Sequence, residues 1–172
     1  MYKSIAIDGP SGSGKSTIAR LLSEKLEFLY IDTGAMYRAI ALYIDRLKSE
    51  GSVETKIEKY LEDIDIAIRH ENGIQKICLN GEDVSADIRQ EAIGNLASVI
   101  SVNANVREKL VALQRNIAKN HNVVMDGRDI ATTVLPNADV KIFLTAKPHT
   151  RALRRYKELL EKGMEADIND IE

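Results

Sequence analysis

The chain has 172 residues, 44% hydrophobic and 29% charged, which excludes disorder as the main state and suits about one domain with a core of its own. Lys and Arg number 24 and Asp and Glu 26, for a net charge of −2; that balance argues against a nucleic-acid coat or a membrane-surface binder, while leaving room for a local basic cluster. The single cysteine, Cys78, excludes an internal disulfide or a cysteine-built metal site, and its neighbours Ile77 and Leu79 make it a buried small hydrophobe. No apolar run approaches the ~20 residues of a membrane span. Met1-Tyr2-Lys3-Ser4 has no signal-peptide architecture, so a soluble, cytoplasmic protein is expected.

In chain order, Ser4 to Asp8 reads as a buried strand stopped by Gly9-Pro10. A helix follows from Lys15, with Ile18, Leu21, Leu22 and Leu26 on one face. Phe28 to Ile31 is a second strand, and Ala35 to Lys48 a second helix stopped by Gly51. This alternation implies an α/β fold, a parallel sheet flanked by helices. Ser49 to Lys59 fits either loop or helix. From Ile64 to Val84 the rhythm breaks: Asn72-Gly73 and Asn80-Gly81 punctuate strand-like runs, the signal of hairpins in a small antiparallel insert. Two helices follow, one with Ile93, Leu96, Ala97 and Ile100 on a face, the other with Val106, Leu110, Leu113 and Ile117. Asn122 to Met125 and Val140 to Leu144 are further strands. Pro148 opens a last helix carrying Leu153, Tyr156 and Leu160, with Gly163 as its stop.

Gly9-Pro10-Ser11-Gly12-Ser13-Gly14-Lys15-Ser16-Thr17 fits G-x-x-x-x-G-K-[ST] between a strand and a helix. Glycines let the backbone curl until several N–H groups point inward, and the helix N-terminus adds its positive end. Such a nest suits a nucleoside triphosphate, with Lys15 bridging its outer phosphates and the Ser16 hydroxyl ligating Mg²⁺. The competing reading is a plain glycine-rich turn.

Two clusters stand where loops at strand ends would face that nest, and a third lies on the last helix. Arg38, one turn into the second helix after Asp32-Thr33-Gly34-Ala35-Met36-Tyr37, can grip a phosphate bidentately or be a solvated helix arginine. In Asp126-Gly127-Arg128-Asp129, Asp126 can hold a magnesium-bound water and Arg128 can face a phosphate, or the segment is a salt-bridged loop. Arg151, Arg154, Arg155 and Lys157 form a cationic lid over the triphosphate, Arg151 and Arg155 foremost, or a solvated helix paired with Glu158 and Glu161.

In these same segments, with Gly81-Glu82-Asp83-Val84-Ser85 and Val140-Lys141-Ile142-Phe143-Leu144, the chain resembles the bacterial cytidylate kinases, a branch of the nucleoside monophosphate kinases, along all 172 residues. The resemblance implies a single P-loop kinase domain over 1–172 with a three-layer fold. Residues 60–90 form its monophosphate-binding insert and 147–172 its lid region. It implies transfer of the ATP γ-phosphate to CMP or dCMP with Mg²⁺, by a monomer that works on small nucleotides without nucleic acid or membrane. Thr33, Tyr37, Arg38 and Arg128 would hold the acceptor, and Ser98, Arg107 and Asp129 would read the cytosine. A carboxylate accepts from the cytosine amino group and a guanidinium donates to N3 or O2; uracil reverses the pattern and mispairs both. Ser98 also fits as a small packing residue, and Arg107 as a surface arginine. Family members continue beyond the position of Glu172 with further arginines and aspartates, then a strand and a helix. The sheet is therefore expected to lack its C-terminal edge strand, and this form to be weakly active or inactive. Two other functions remain open: a P-loop kinase for a non-nucleotide acceptor, and a nucleotide-binding module without turnover.

Overall fold

The structure, a computed structural model, describes residues 2–47, 51–71, 74–161, 163 and 166–171. Its elements are β1 (Ser4–Asp8), α1 (Lys15–Leu26), β2 (Leu29–Asp32), α2 (Thr33–Arg46), α3 (Val53–Tyr60), β3 (Ile66–Glu71), β4 (Ile74–Leu79), β5 (Glu82–Asp83), α4 (Glu91–Ile100), α5 (Ala104–Asn120), β6 (Val123–Gly127), β7 (Val140–Phe143) and α6 (Pro148–Glu161). Strands β2-β6-β1-β7 form one parallel sheet, and β3-β4-β5 a separate antiparallel one.

Strands β1, β2 and β6 are apolar runs because both faces are covered. Ala6, Ile31, Val123 and Met125 face one core with Met36 and Ile40 of α2, Ile93 of α4 and Leu110 of α5. Ile5, Ile7, Tyr30 and Val124 face the other, with Ala19 of α1. Alternation along each strand thus splits the interior in two and produces three layers. The register pairs Asp32 with Asp126, and Asp8 with both Gly127 and Phe143, so acidic residues collect at one edge of the sheet. Among the described residues β7 pairs with β1 alone, and Phe143 on it is 71% exposed.

Two helix faces differ from the periodicity. On α1, Ile18, Leu21 and Leu26 are exposed, and the buried positions are Ala19 and Ser23. The strand-to-helix turn fixes the rotation of α1, and small side chains at 19 and 23 let it lie close to the sheet. On α6, Ala152 and Leu159 are buried while Leu153 and Leu160 are exposed. A second difference concerns α2, which begins at Thr33, directly after β2, because the Asp32 carboxylate caps it by accepting from the Ala35 N–H at 3.0 Å. It ends at Arg46, and the end expected at Lys48 lies outside the described residues. The ambiguous stretch contains α3, capped by Ser52.

The insert is antiparallel as expected. Asn80 and Gly81 take positive φ in the two-residue turn joining β4 to β5; Asn72-Gly73 lies outside the described residues. Its inward face carries Ile66, Ile77, Leu79 and Val84 into the α2 core, and Cys78 is buried. A cross-strand pair docks the insert on the sheet: His70 Nε2 lies 3.1 Å from the Tyr30 carbonyl, and Gln75 Oε1 accepts from the Asp32 N–H at 2.9 Å.

At the nest, a Cβ on Gly9 would overlap the backbone carbonyl oxygen of Leu144. Gly9→Ala should therefore destabilise the fold by about 3 kcal/mol, the upper range for overpacking against rigid surroundings. Urea unfolding checks this, and a change below 1 kcal/mol on the overpacking scale would show that the β1 and β7 ends yield.

Candidate active site

The loop from Gly9 to Gly14 closes on itself through a Ser13 N–H to Pro10 carbonyl bond. Gly12 and Gly14 take the left-handed region, φ 72 and 95. At α1 the N-cap is Gly14, with no side-chain cap and no acidic residue in the first turn. The helix start is thus left to an outside anion. Ser13 Oγ points the same way: it is buried and has no hydrogen-bond partner among the described residues. A buried hydroxyl left so is costly until an acceptor reaches it.

Lys15 is half-buried, its Nζ 3.3 Å from the Pro10 carbonyl. Burial lowers its pKa from the usual lysine value, and the charges of Arg128 and Arg38 push the same way against Asp126 and Asp32. The structure therefore brings Lys15, Arg38 and Arg128 into one electrostatic neighbourhood at the C-terminal edge of the sheet. Among the described residues neither Arg38 nor Arg128 forms an ion pair. Three cations held together repel one another, and polyphosphate relieves that repulsion.

Asp126, 2% exposed, is the penultimate residue of β6, in the middle of this edge. Its Oδ2 accepts from the Ser16 hydroxyl at 2.7 Å and its Oδ1 from the Tyr30 hydroxyl at 2.9 Å. Burial, reinforced by the charge of Asp32, raises its carboxyl to about 6. A hydroxyl and a crowded carboxylate at a phosphate nest are hard oxygen donors, the set a divalent cation takes. Among the described residues no group of three or more His, Cys, Asp or Glu side chains surrounds one point, so water and phosphate oxygens would complete such a coordination sphere. Thr33, buried, donates its hydroxyl to the Asp126 carbonyl at 2.8 Å and so fixes this turn from the α2 side.

A second centre lies beside the first. Arg107 on α5 donates to Asp129 at 2.5 Å, both side chains about one-third exposed. Tyr37 adjoins them: burial pushes its phenol pKa up, the Asp129 charge adds to this and the Arg107 charge opposes it. Asp129 is thus paired across the cleft with α5 rather than with Arg128 beside it. Ser98 is on the exposed side of α4, its hydroxyl donating to the Gly94 carbonyl at 3.2 Å.

The last helix reaches the nest through Arg154. Its Nη1 donates to the Gly12 carbonyl at 2.9 Å, a contact the choice of Arg151 and Arg155 missed. Arg151 contributes backbone: its Cα, Cβ and carbonyl stand 3.2–3.3 Å from where a Gly12 Cβ would be, and its Nε donates to the Ala146 carbonyl. Arg155 pairs with Glu91 of α4 at 3.4 Å and with Glu158 at 3.5 Å. Sequence reasoning also missed Tyr30, whose phenol binds Asp126, and Asp8, whose carboxylate lies beneath the Arg128 loop. For Asp8 the available signal is an acid ending the strand that leads into the phosphate nest; Tyr30, inside β2, carries no such local mark.

A parallel sheet with an amide nest between its first strand and first helix, a lysine in the nest and a hydroxyl-carboxylate pair beneath it defines a P-loop nucleotide-binding protein. A sequence profile of the cytidylate kinase family matches residues 5–172. The chain is 51% identical over 167 residues to the cytidylate kinase of Caldicellulosiruptor saccharolyticus, covering 97% of this chain and 74% of that protein. It is 48% identical to that of Pediococcus pentosaceus with the same coverage, and 47% identical to that of Lactobacillus johnsonii over 98% of this chain and 73% of that one. The chain belongs to the cytidylate kinase family.

Proposed function

We propose that this protein is an enzyme that moves the γ-phosphate of ATP to CMP or dCMP, giving CDP or dCDP. The observation that carries the reading is the gathering of Lys15, Arg38 and Arg128 at one sheet edge, in a chain of this family. Lys15 and the backbone N–H groups of Ser11 to Ser16 hold the triphosphate. Arg38 and Arg128 present the acceptor phosphate in line with it, so that charge developing in transfer meets fixed cations. Ser16 and Asp126 are the residues that would hold Mg²⁺, which when bound neutralises phosphate charge. Residues 60–90 serve as the acceptor-side insert, and 147–172 as a lid that closes over ATP through α6. The protein acts on small nucleotides as a cytoplasmic monomer, without nucleic acid or membrane. No helix among the described residues is long and apolar enough to cross a membrane.

Base choice follows from the Arg107–Asp129 pair, which Tyr37 adjoins; Ser98 joins the reading through the family resemblance, its hydroxyl here being held by the Gly94 carbonyl. The Asp129 carboxylate accepts from the cytosine amino group, the Arg107 guanidinium donates to the ring acceptors, and uracil leaves both mispaired. CMP and dCMP should be turned over with kcat/KM at least about 100-fold above UMP, as expected where polar groups are left unpaired by the wrong substrate. ADP release across CMP, dCMP, UMP and AMP measures it. Equal values for CMP and UMP would remove Arg107 and Asp129 from base reading. ATP protection against unfolding, with no acceptor releasing ADP, would favour a binding module without turnover.

A further inference from the structure

Asp8 lies at the end of β1, one residue before the nest, and is 5% exposed. Its carboxylate is engaged across 122 residues of chain: Oδ1 accepts from the Ile130 N–H at 2.7 Å and Oδ2 from the Ala131 N–H at 2.9 Å. Its own carbonyl accepts from the Leu144 N–H at 2.8 Å. The two amides open a single π-helical turn, Ile130–Val134, closed by a bond from the Leu135 N–H to the Ile130 carbonyl. π-turns concentrate at functional sites. At the other end of this one, Arg115 donates to the carbonyls of Thr133 and Val134 at 2.6 and 3.0 Å. A buried carboxylate holds the amide end and a guanidinium the carbonyl end, each matching the local dipole.

The residue at the N-cap of that turn is Asp129. An aspartate there ordinarily caps its own turn by accepting from amides two or three residues on. Asp129 makes no such bond. Asp8 holds the Ile130 and Ala131 amides, and the Asp129 carboxylate reaches out to Arg107 instead.

We infer that Asp8 is a positioning residue for acceptor recognition: by capping the turn at Ile130 and Ala131 in place of Asp129, it keeps the Asp129 carboxylate turned to Arg107 and the base. The inference rests on the reading of Asp129 as the residue that reads cytosine. Without the Asp8 carboxylate, two amides of a turn buried at Ile130 and Val134 need another acceptor, and Asp129 is the nearest in sequence. Capping its own turn would withdraw its carboxylate from the base.

The test compares Asp8→Asn, Asp129→Asn and the double variant by steady-state kinetics with CMP and UMP. Asp8→Asn should raise KM for CMP about tenfold and lower the CMP-to-UMP ratio of kcat/KM about tenfold, with KM for ATP within twofold. In the double variant, Asp8→Asn should leave that ratio as Asp129→Asn alone sets it, because the two act through one group. Independent, multiplicative losses in the ratio, or a fall in kcat alone, would overturn the inference and make Asp8 a structural anchor. A ratio unchanged by Asp129→Asn would instead defeat the base-reading assignment beneath it. Should Asp8→Asn fail to fold, Arg115→Gln loosens the same turn from its solvent side. It should lower the ratio in the same direction by about threefold, and an unchanged ratio would count against the inference.

Discussion

Lys15→Ala should lower turnover by about 10²–10³-fold, the loss that follows removal of one preorganised charge contact to a developing oxyanion. The lysine stands half-buried beside the nest, its pKa lowered by burial; the charges of Asp126 and Asp32 oppose this, and those of Arg128 and Arg38 add to it. A group desolvated and crowded by like charge gains when anionic oxygens arrive, and gains most when their charge rises in transfer. The amide nest and the open start of α1 are backbone features that the substitution leaves in place, so ATP should still bind. CMP affinity should stay within threefold, because Arg38 and Arg128 are the residues proposed to hold its phosphate. Single-turnover phosphate transfer with equilibrium CMP binding separates the two effects; turnover within threefold of the unsubstituted chain would take Lys15 out of its role.

Asp126→Asn should move activity and stability in opposite directions. Turnover should fall about 10²-fold or more, since Asp126 is one of the two residues that would hold the divalent cation. The fold should become firmer at neutral pH. The Asp126 carboxyl titrates at about 6 in the folded protein, above the ordinary value near 3.9. Between those values the native state holds the extra proton, so stability falls as pH rises through that window, and the whole penalty is present above about pH 6. A two-unit elevation corresponds to about 3 kcal/mol. The neutral amide avoids that penalty, keeps an oxygen for the Tyr30 hydroxyl and leaves Ser16 a partner. Urea unfolding at pH 7.5 should show a gain of about 2 kcal/mol, shrinking to little below pH 4. A loss of stability at pH 7.5 would show that the hydrogen bonds from Ser16 and Tyr30 outweigh the burial of charge.

The parts most legible in the sequence are those written locally. A strand, a glycine-rich turn, a lysine and a helix occupy consecutive residues, so the nest could be placed by reading from Ser4 to Leu26. The same holds for the Asn80-Gly81 hairpin, whose positive φ values suit those residue types. Periodicity found the helices but not always the side they bury. On α1 the larger side chains Ile18 and Leu21 face outward because Ala19 and Ser23 set the closest approach to the sheet; a period identifies a stripe, while its rotation is decided by what the helix leans on. Contacts spanning the chain left no local trace. Asp8 to Ile130 and Arg154 to Gly12 join residues far apart in sequence, and only their positions in the folded chain show which side chain does the work.

The central claim is that two phosphates meet here, one in the nest and one on Arg38 and Arg128. Calorimetric binding of CMP and of ATP to Arg38→Ala tests it most directly. CMP affinity should fall roughly 10- to 100-fold, as loss of a charge-assisted contact implies, while ATP affinity stays within threefold. Equal losses for both nucleotides, or no loss for CMP, would contradict the two-site account.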